Sequence, residues 1–384
     1  MGLLELLYRK QHSFRQWMTA QKYRLVRAVE RNGSTPVDLH VSDPQKVLLV
    51  LTGLIGDSVM ATPVIAEARN LWPRAEITLL GNPNSVALLE ACPELDVLQV
   101  ADVDAFSLRR RNRIAQLKQW LAVCRFDIAL IILGDQFAAL LAAAGIPVRV
   151  GVRGSLLESC LTHRYEIESA STWGPSERLN ALRCLGFQIP ETPPRLWVSQ
   201  LARISSEQKL AERGWKPGES YFVIHPFGST KRKWWKLDSV AELGRHVAES
   251  TGMRCLLVGG PETTRVAVPM RDDNLVDLRG GVSLSELVAV IDKATLVIST
   301  DSGPFHIAGA LGRPVVGLFS HRRPEHANRY PQGRVVYGMD QACERRCSWD
   351  RCYWAPCRQM LRISAEMVAD QVAKKLRAES VGVR

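Results

Sequence analysis

Length, composition and charge set the first limits on what this sequence can do. The chain has 384 residues, of which 46% are hydrophobic, so it can bury the cores of two domains and is not a disordered chain. Its net charge of +11 indicates an acidic partner, which could be nucleic acid, an anionic membrane surface or a phosphorylated substrate. Because no run of about 18 uncharged apolar residues occurs, we predict no transmembrane helix.

Residues 1–40 form a basic N-terminal extension, with seven basic residues against three acidic ones. Leucine, phenylalanine and tryptophan recur there at roughly helical spacing, which predicts a basic amphipathic helix. Such a helix could lie on an anionic bilayer, or it could pack on its own domain or on a second subunit. Because Glu5, Arg9 and Lys10 interrupt the apolar residues, we predict no signal peptide and expect a cytoplasmic protein.

From residue 46 the sequence alternates between apolar strands and helices. The first series has predicted strands at 46–51, 76–80, 97–100 and 127–133, and predicted helices at 57–70, 85–91 and 111–124. After a proline-rich stretch at 190–194, the second series has strands at 221–225, 254–258, 296–299 and 315–319, and helices at 237–249, 283–291 and 304–311. This alternation is typical of parallel sheets covered on both faces. We therefore predict an α/β fold with two doubly wound, Rossmann-like domains, at 41–200 and 201–384, facing a ligand cleft.

The first motif, residues 52–57, directly follows the first strand. Gly53 and Gly56 let the backbone turn tightly beside a ligand, and the helix that follows offers free N–H groups. Asp57 is unusual at this position because a carboxylate repels phosphate. It suits a general base that takes a proton from an attacking hydroxyl, and it also suits an N-terminal cap of the helix.

The second motif, residues 299–306, follows another strand and begins a helix. Its hydroxyls, its glycine and the exposed helix N–H groups favour binding of a diphosphate, which the helix dipole would also stabilise as a leaving group. The candidate binding residues are Thr300, Asp301, Ser302, Gly303 and His306. The alternative is a capped helix start that binds nothing.

A third motif, residues 225–236, combines four cations with two tryptophans after a strand. Its candidate binding residues are Ser229 and Thr230. The cations of this motif could neutralise phosphates, and tryptophan faces stack on sugars or bases. Nucleic-acid binding also fits this composition, as does a solvated loop with one buried tryptophan.

A short glycine turn at 259–262 ends a further strand of the second series. Its backbone would let a ligand approach closely, which adds Gly260 and Glu262 to the candidate binding residues.

Four cysteines, Cys343, Cys347, Cys352 and Cys357, lie within 15 residues near the C-terminus. In a cytoplasmic protein we expect thiols or metal ligands rather than disulfides. Four thiols so close together are typical of a tetrahedral site for structural zinc or iron, although the spacing differs from that of common zinc knuckles. The alternative is a loop of reduced cysteines beneath the final helix.

The order of these motifs resembles the heptosyltransferases of glycosyltransferase family 9, which add heptose from ADP-heptose to the lipopolysaccharide core. The resemblance covers about residues 46–380, in the segments GLIGDSVMATPVIAEARNLWPRAEITLL, HPFGSTKRKWW, LLVGGPE, LRGGVSLSELVAVIDKATLVISTDSGPFHIAGALGRPVVGLF and ISAEMVADQV. It implies a GT-B architecture, in which the N-terminal domain binds the acceptor and the C-terminal domain binds the nucleotide sugar.

The resemblance also implies roles for single residues. The family's glycine-glycine-aspartate turn falls on Gly53, Gly56 and Asp57, which favours Asp57 as the general base over the helix cap. The family's lysine before a Trp-Pro pair aligns with Lys233, which makes Lys233 the second expected catalytic residue, stabilising the departing diphosphate. Asp301 is expected near the donor sugar.

Two positions depart from the family pattern. Lys236 stands where the family has proline, and residues 320–324 replace the usual Gly-Pro-Thr beside the nucleotide site.

The function that the resemblance implies is a metal-independent, inverting transfer of a heptose or related sugar from an ADP-sugar to the lipopolysaccharide core or another saccharide. The enzyme would need no cofactor for catalysis and would be cytoplasmic or peripheral on the inner membrane. A protein acceptor is an alternative, because relatives that modify autotransporter proteins carry a four-cysteine iron site near the same position.

Two alternatives come from other classes of protein. A nucleic-acid-binding protein would not explain the diphosphate motif or Asp57, so nucleic acid is not the expected partner. A catalytically silent subunit would bind nucleotide sugar without turnover.

Overall fold

Two six-stranded parallel sheets form the framework of the protein. The computed structural model describes residues 41–101, 111–155, 157–167, 174–268, 274–320, 330–338 and 355–381. The predicted N-terminal extension lies outside the described residues. None of the helices within these ranges combines the length and hydropathy that crossing a bilayer requires.

The first sheet lies in the N-terminal half of the chain and has the strand order β3-β2-β1-β4-β5-β6. Its strands are β1 (Lys46–Leu51), β2 (Glu76–Gly81), β3 (Val97–Val100), β4 (Ile128–Leu133), β5 (Val148–Val152) and β6 (His163–Tyr165). Its helices are α1 (Ile55–Leu71), α2 (Pro83–Leu88), α3 (Arg111–Cys124), α4 (Ala138–Ala143) and α5 (Gly174–Arg183).

The second sheet repeats this topology, with the strand order β12-β11-β10-β7-β8-β9. Its strands are β7 (Tyr221–His225), β8 (Arg254–Leu257), β9 (Leu275–Asp277), β10 (Leu296–Thr300), β11 (Val315–Phe319) and β12 (Gly333–Tyr337). Its helices are α6 (Gln200–Ala211), α7 (Leu237–Thr251), α8 (Leu284–Lys293), α9 (Gly303–Ala310), α10 (Arg358–Arg362) and α11 (Ala365–Val381).

Burial on both faces explains why the central strands are continuously apolar. In β1, Val47, Leu49 and Leu51 pack into one hydrophobic cluster, whereas Leu48 and Val50 pack into another on the opposite face. Helices therefore cover both sides of each sheet, and the prediction of two doubly wound α/β sheets is confirmed.

Glu286 on α8 connects this helix to α6 within the second half of the chain. Its carboxylate accepts hydrogen bonds from Lys209 (2.7 Å), from the Ser205 hydroxyl (2.6 Å) and from the Ser283 N–H (2.6 Å). Burial raises the pKa of Glu286, but these hydrogen bonds outweigh burial and lower the pKa to about 2.

Replacing Glu286 by glutamine is expected to destabilise the protein in a pH-dependent manner. A pKa that is depressed in the folded state contributes stability above the unfolded value of 4.5, and this contribution is lost as the pH falls towards 2. We expect the free energy of unfolding to fall by about 1–3 kcal/mol at pH 7 and the difference to narrow below pH 4.5. Urea unfolding at several pH values measures this, with the exposed Glu212→Gln as control. A loss that does not vary with pH would contradict the assignment.

Candidate active site

A cleft of about 510 Å³ lies between the two sheets, and residues from both halves of the chain line it. The helices α1 and α9 both start at this cleft, each directly after the carboxyl end of a central strand. Ten of the predicted site residues line it: Gly56, Asp57, Ser229, Lys233, Gly260, Glu262, Asp301, Ser302, Gly303 and His306. The fold therefore brings together motifs that are as much as 250 residues apart, counting from Gly56 to His306.

Three predicted ligand residues, Gly53, Thr230 and Thr300, lie outside this lining. Thr300 is fully buried, and its hydroxyl donates a hydrogen bond to the carbonyl oxygen of Phe227. Thr230 instead precedes the short 3-10 helix Lys231–Lys233, and its carbonyl oxygen accepts a hydrogen bond from the Lys233 N–H. The Thr300 hydroxyl is therefore used inside this half of the chain, and ligand contact by Thr300 stays a prediction.

Gly53 has a structural reason to be glycine. A Cβ atom at this position would lie 2.4 Å from Cδ1 of Leu133, so a side chain would collide with the end of β4. The Gly53 carbonyl oxygen accepts a hydrogen bond of 2.7 Å from the Asn82 side chain. The turn that presents Asp57 is thus fixed by its neighbours on both sides.

Asp57 is the third residue of α1 and lies on the wall of the cleft that the first sheet provides. The Leu54 N–H donates a long hydrogen bond of 3.4 Å to its Oδ2, and Nη2 of Arg178 lies 3.4 Å from its Oδ1. The side chain is 33% exposed, so a substrate hydroxyl could reach it. Because each of these contacts is long, each carboxylate oxygen can still accept a further hydrogen bond.

Lys233 lines the same cleft from the second half of the chain. Its Nζ donates to the Asp301 side chain at 2.8 Å and to the Asp301 carbonyl oxygen at 3.0 Å. Nε2 of His306 lies 4.0 Å from the other oxygen of the Asp301 carboxylate, and Nδ1 of His306 is 3.2 Å from the Tyr330 hydroxyl. A cation, a carboxylate and an imidazole therefore meet on the same wall of the cleft.

The N-terminus of α9 is the second feature of this wall. Ser302 precedes the helix in an extended conformation, and Pro304 occupies the first turn, where its missing N–H costs no helical hydrogen bond. The free N–H groups and the helix dipole at this end attract anions. The Ser302 hydroxyl lies 3.0 Å from Nδ1 of His225, and burial lowers the pKa of His225 to about 4. His225 is therefore neutral at pH 7 and contributes no charge to the site.

Two glycines allow the halves of the chain to approach each other at the cleft. A Cβ atom on Gly56 would lie 2.7 Å from Cδ2 of His306, and one on Gly303 would lie 2.7 Å from Cγ2 of Ile55. The start of α1 and the start of α9 are thus in direct contact. This contact places the turn with Asp57 beside the anion-binding end of α9.

Several residues at the site were not predicted from the sequence. Arg178, which contacts Asp57, lies on α5, a helix that was not predicted. The side chains of Met60, Asn84 and Phe227 also line the cleft, and neither Met60 nor Asn84 was among the predicted site residues. Glu262 lies in the 3-10 helix Pro261–Thr263 and folds back over Gly260, where a Cβ atom would lie 2.4 Å from the Glu262 carboxylate.

The predicted cysteine metal site falls largely outside the described residues, which include neither Cys343, Cys347 nor Cys352. Cys357 is buried, and its N–H donates to the carbonyl oxygen of Arg232 at 3.0 Å. Within the described ranges, no group of three or more His, Cys, Asp or Glu side chains could hold a metal ion. The structural metal at the four cysteines remains a prediction, which elemental analysis of the purified protein tests.

The sequence matches a known family of enzymes. Residues 114–351 match the family model described as glycosyltransferase family 9 (heptosyltransferase). Among curated proteins, the chain is 25% identical over 278 residues to lipopolysaccharide heptosyltransferase 3 of Escherichia coli strain K12. That match covers 69% of this chain and 79% of the relative.

Solved structures of such enzymes share the fold. The structure of E. coli ADP-heptose lps heptosyltransferase II superimposes with a TM-score of 0.73 at 19% identity, covering 87% of this chain and 99% of that one. The iron-containing dodecameric glycosyltransferase TibC from enterotoxigenic E. coli H10407 gives a TM-score of 0.55 at 16% identity, covering 90% and 81%. At these identities the likeness concerns the fold alone, and it confirms the predicted GT-B architecture.

Proposed function

The chain belongs to glycosyltransferase family 9 and is a glycosyltransferase, and we propose that it transfers a heptose or related sugar from ADP-heptose to the lipopolysaccharide core or a similar saccharide. The observation that carries this proposal is the pairing of two walls in one cleft. Asp57 on one wall can accept a proton, while Lys233 and the N-terminus of α9 on the other can hold a diphosphate. The lipopolysaccharide heptosyltransferases among its relatives support the choice of sugar and acceptor.

The second half of the chain is proposed to bind the donor. The diphosphate of ADP-heptose would lie at the N-terminus of α9, near Ser302 and Gly303, where the helix dipole and Lys233 neutralise its charge. Ser229, Gly260 and Glu262 line the same part of the protein and would contact the rest of the nucleotide sugar. The first half of the chain would then hold the acceptor against Asp57.

The proposed reaction is a single displacement with inversion at the anomeric carbon. An acceptor hydroxyl attacks this carbon from the face opposite the diphosphate, and Asp57 takes the hydroxyl proton as the new carbon–oxygen bond forms. The bond between the anomeric carbon and the phosphate oxygen breaks, and its electron pair leaves with ADP. Lys233 and the start of α9 stabilise this leaving group, because its negative charge grows as the bond breaks.

The site of action is proposed to be the cytoplasmic face of the inner membrane, with peripheral attachment. A lipopolysaccharide core acceptor is anchored in lipid, and the net charge of +11 favours contact with an anionic surface.

Mass spectrometry after incubation with ADP-heptose and candidate acceptors tests the proposed function. We expect ADP and an acceptor heavier by one heptosyl unit, with turnover unchanged by EDTA because no metal takes part. A modified protein in place of a modified saccharide would favour the alternative of a protein acceptor. Binding of ADP-heptose with no product from any acceptor would contradict the proposal and favour a silent subunit.

A further inference from the structure

Arg178 connects the carboxylate of Asp57 to the first sheet. It extends from α5 and lies 3.4 Å, through Nη2, from Oδ1 of Asp57. Its Nη1 donates a hydrogen bond of 3.2 Å to the carbonyl oxygen of Ile132, near the carboxyl end of β4. The Arg178 side chain is only 12% exposed, so its guanidinium group is held in one place by a strand and by the helix that carries it.

Burial of Arg178 has an energetic cost. Its Nε is buried and has no hydrogen-bond partner among the residues that the structure describes. A buried donor without a partner costs about 1–3 kcal/mol, so a gain in stability at this atom does not explain why Arg178 is buried. The contact with Asp57 is also long, so it contributes little as an ion pair.

The position of Arg178 matters because of the charges across the cleft. Lys233 lines the same cleft as Asp57 from the second half of the chain, and a carboxylate with no partner on its own wall would be drawn towards this cation. In that orientation it would turn away from an acceptor hydroxyl and towards the groups that bind the donor. The Leu54 N–H and Arg178 each contact a different carboxylate oxygen at 3.4 Å, so the two contacts together favour one plane of the group.

We propose that Arg178 is a positioning residue, which holds the Asp57 carboxylate in the orientation needed to accept the proton of the acceptor hydroxyl. This inference rests on the proposed function, because it assigns a partner to the proposed base. Misplacing a catalytic group by about 1 Å can lower a rate by about 100-fold, so a role of this kind is large enough to measure.

Kinetics of three variants of Arg178 test this inference. We expect Arg178→Gln to lower kcat by about 10-fold to 100-fold, while the KM for ADP-heptose and the affinity for ADP stay within about twofold. Arg178→Lys should retain an intermediate kcat because it keeps the charge but not the second hydrogen bond. In Arg178→Ala, added guanidinium ion should restore part of kcat, whereas it should not help Asp57→Asn.

The matched control is Arg153→Gln, which removes the same charge from the same half of the chain. Arg153 is 56% exposed and pairs with Glu166 at 3.0 Å outside the cleft lining, so kcat should stay unchanged. Thermal unfolding and ADP affinity of every variant report whether it is folded. If Arg178→Gln misfolds, the lysine variant still decides the question through its kcat.

The outcomes separate this inference from the proposed function. If the wild-type protein transfers heptose and Asp57→Asn does not, an unchanged kcat in Arg178→Gln overturns the positioning role alone. A rise in the KM for the acceptor with kcat unchanged also overturns it, because Arg178 would then bind the acceptor itself. If the wild-type protein forms no product, the proposed function is overturned and this inference with it.

Discussion

Replacing Asp57 by asparagine is expected to lower kcat for sugar transfer by about 100-fold to 10,000-fold, the usual contribution of a general base. Asparagine keeps the size of the side chain and can still contact the Leu54 N–H through its oxygen, so the start of α1 should remain intact. Asparagine cannot, however, accept the proton of the acceptor hydroxyl. Because the donor binds to the opposite wall, the affinity for ADP should stay within about twofold of the wild type. Steady-state kinetics and calorimetric titration with ADP measure the two effects separately.

The control for this variant is Asp43→Asn, in the same half of the chain. Asp43 is 63% exposed and pairs only on the surface, at 3.3 Å from Arg74, so its loss should change neither kcat nor ADP affinity. Turnover in Asp57→Asn close to the wild-type value would refute the assignment of the base. A parallel loss of ADP affinity would instead indicate that Asp57 supports the structure of the cleft.

The fold was predictable because its central strands are buried on both faces and therefore apolar throughout. The edge strands β6 and β9 were not predicted, because with three residues each they are too short to show a continuous apolar run. The helix α1 begins at Ile55, two residues before the predicted start, because Asp57 was weighed as a cap and is in fact the third helical residue. Its carboxylate nevertheless makes one long contact with the N–H at the helix start, so part of the capping alternative holds.

The sequence predicted the chemistry of each motif separately, but not the contacts between motifs. Asp57 and the start of α9 follow strands directly, and parallel strands bring their carboxyl ends to one edge. The sequence did not indicate which charged residues from distant segments pair with each other. Arg178 is 121 residues from Asp57, and Lys233 is 68 residues from Asp301. Sequence also could not tell which strand-end hydroxyls face the cleft, so Thr300 and Ser302 were not distinguished from each other as candidate binding residues.

Replacing Lys233 by methionine is expected to impair use of the donor more than binding of the acceptor. Methionine has a similar length but no charge, so the leaving diphosphate loses a cation and the Asp301 carboxylate loses a partner at 2.8 Å. Asp301 is only 13% exposed, and its charge, no longer neutralised by Lys233, would repel the diphosphate. We expect the KM for ADP-heptose to rise and kcat to fall, each by about 10-fold to 100-fold, with the acceptor KM within about threefold.

A double variant separates the two causes of this loss. If repulsion by the negative charge of Asp301 dominates, adding Asp301→Asn to Lys233→Met should recover part of the donor KM. If loss of the cation alone is the cause, the second substitution should leave the donor KM unchanged. Lys231→Met is the matched control, because Lys231 lies in the same loop, 5.9 Å above the Trp234 ring and outside the cleft lining. Equal effects of the Lys231 and Lys233 substitutions would show that the loop acts through its general charge, and would remove Lys233 from the proposed chemistry. An effect confined to Lys233, with recovery in the double variant, would instead mean that Asp301 is tolerated beside the diphosphate only while Lys233 neutralises it.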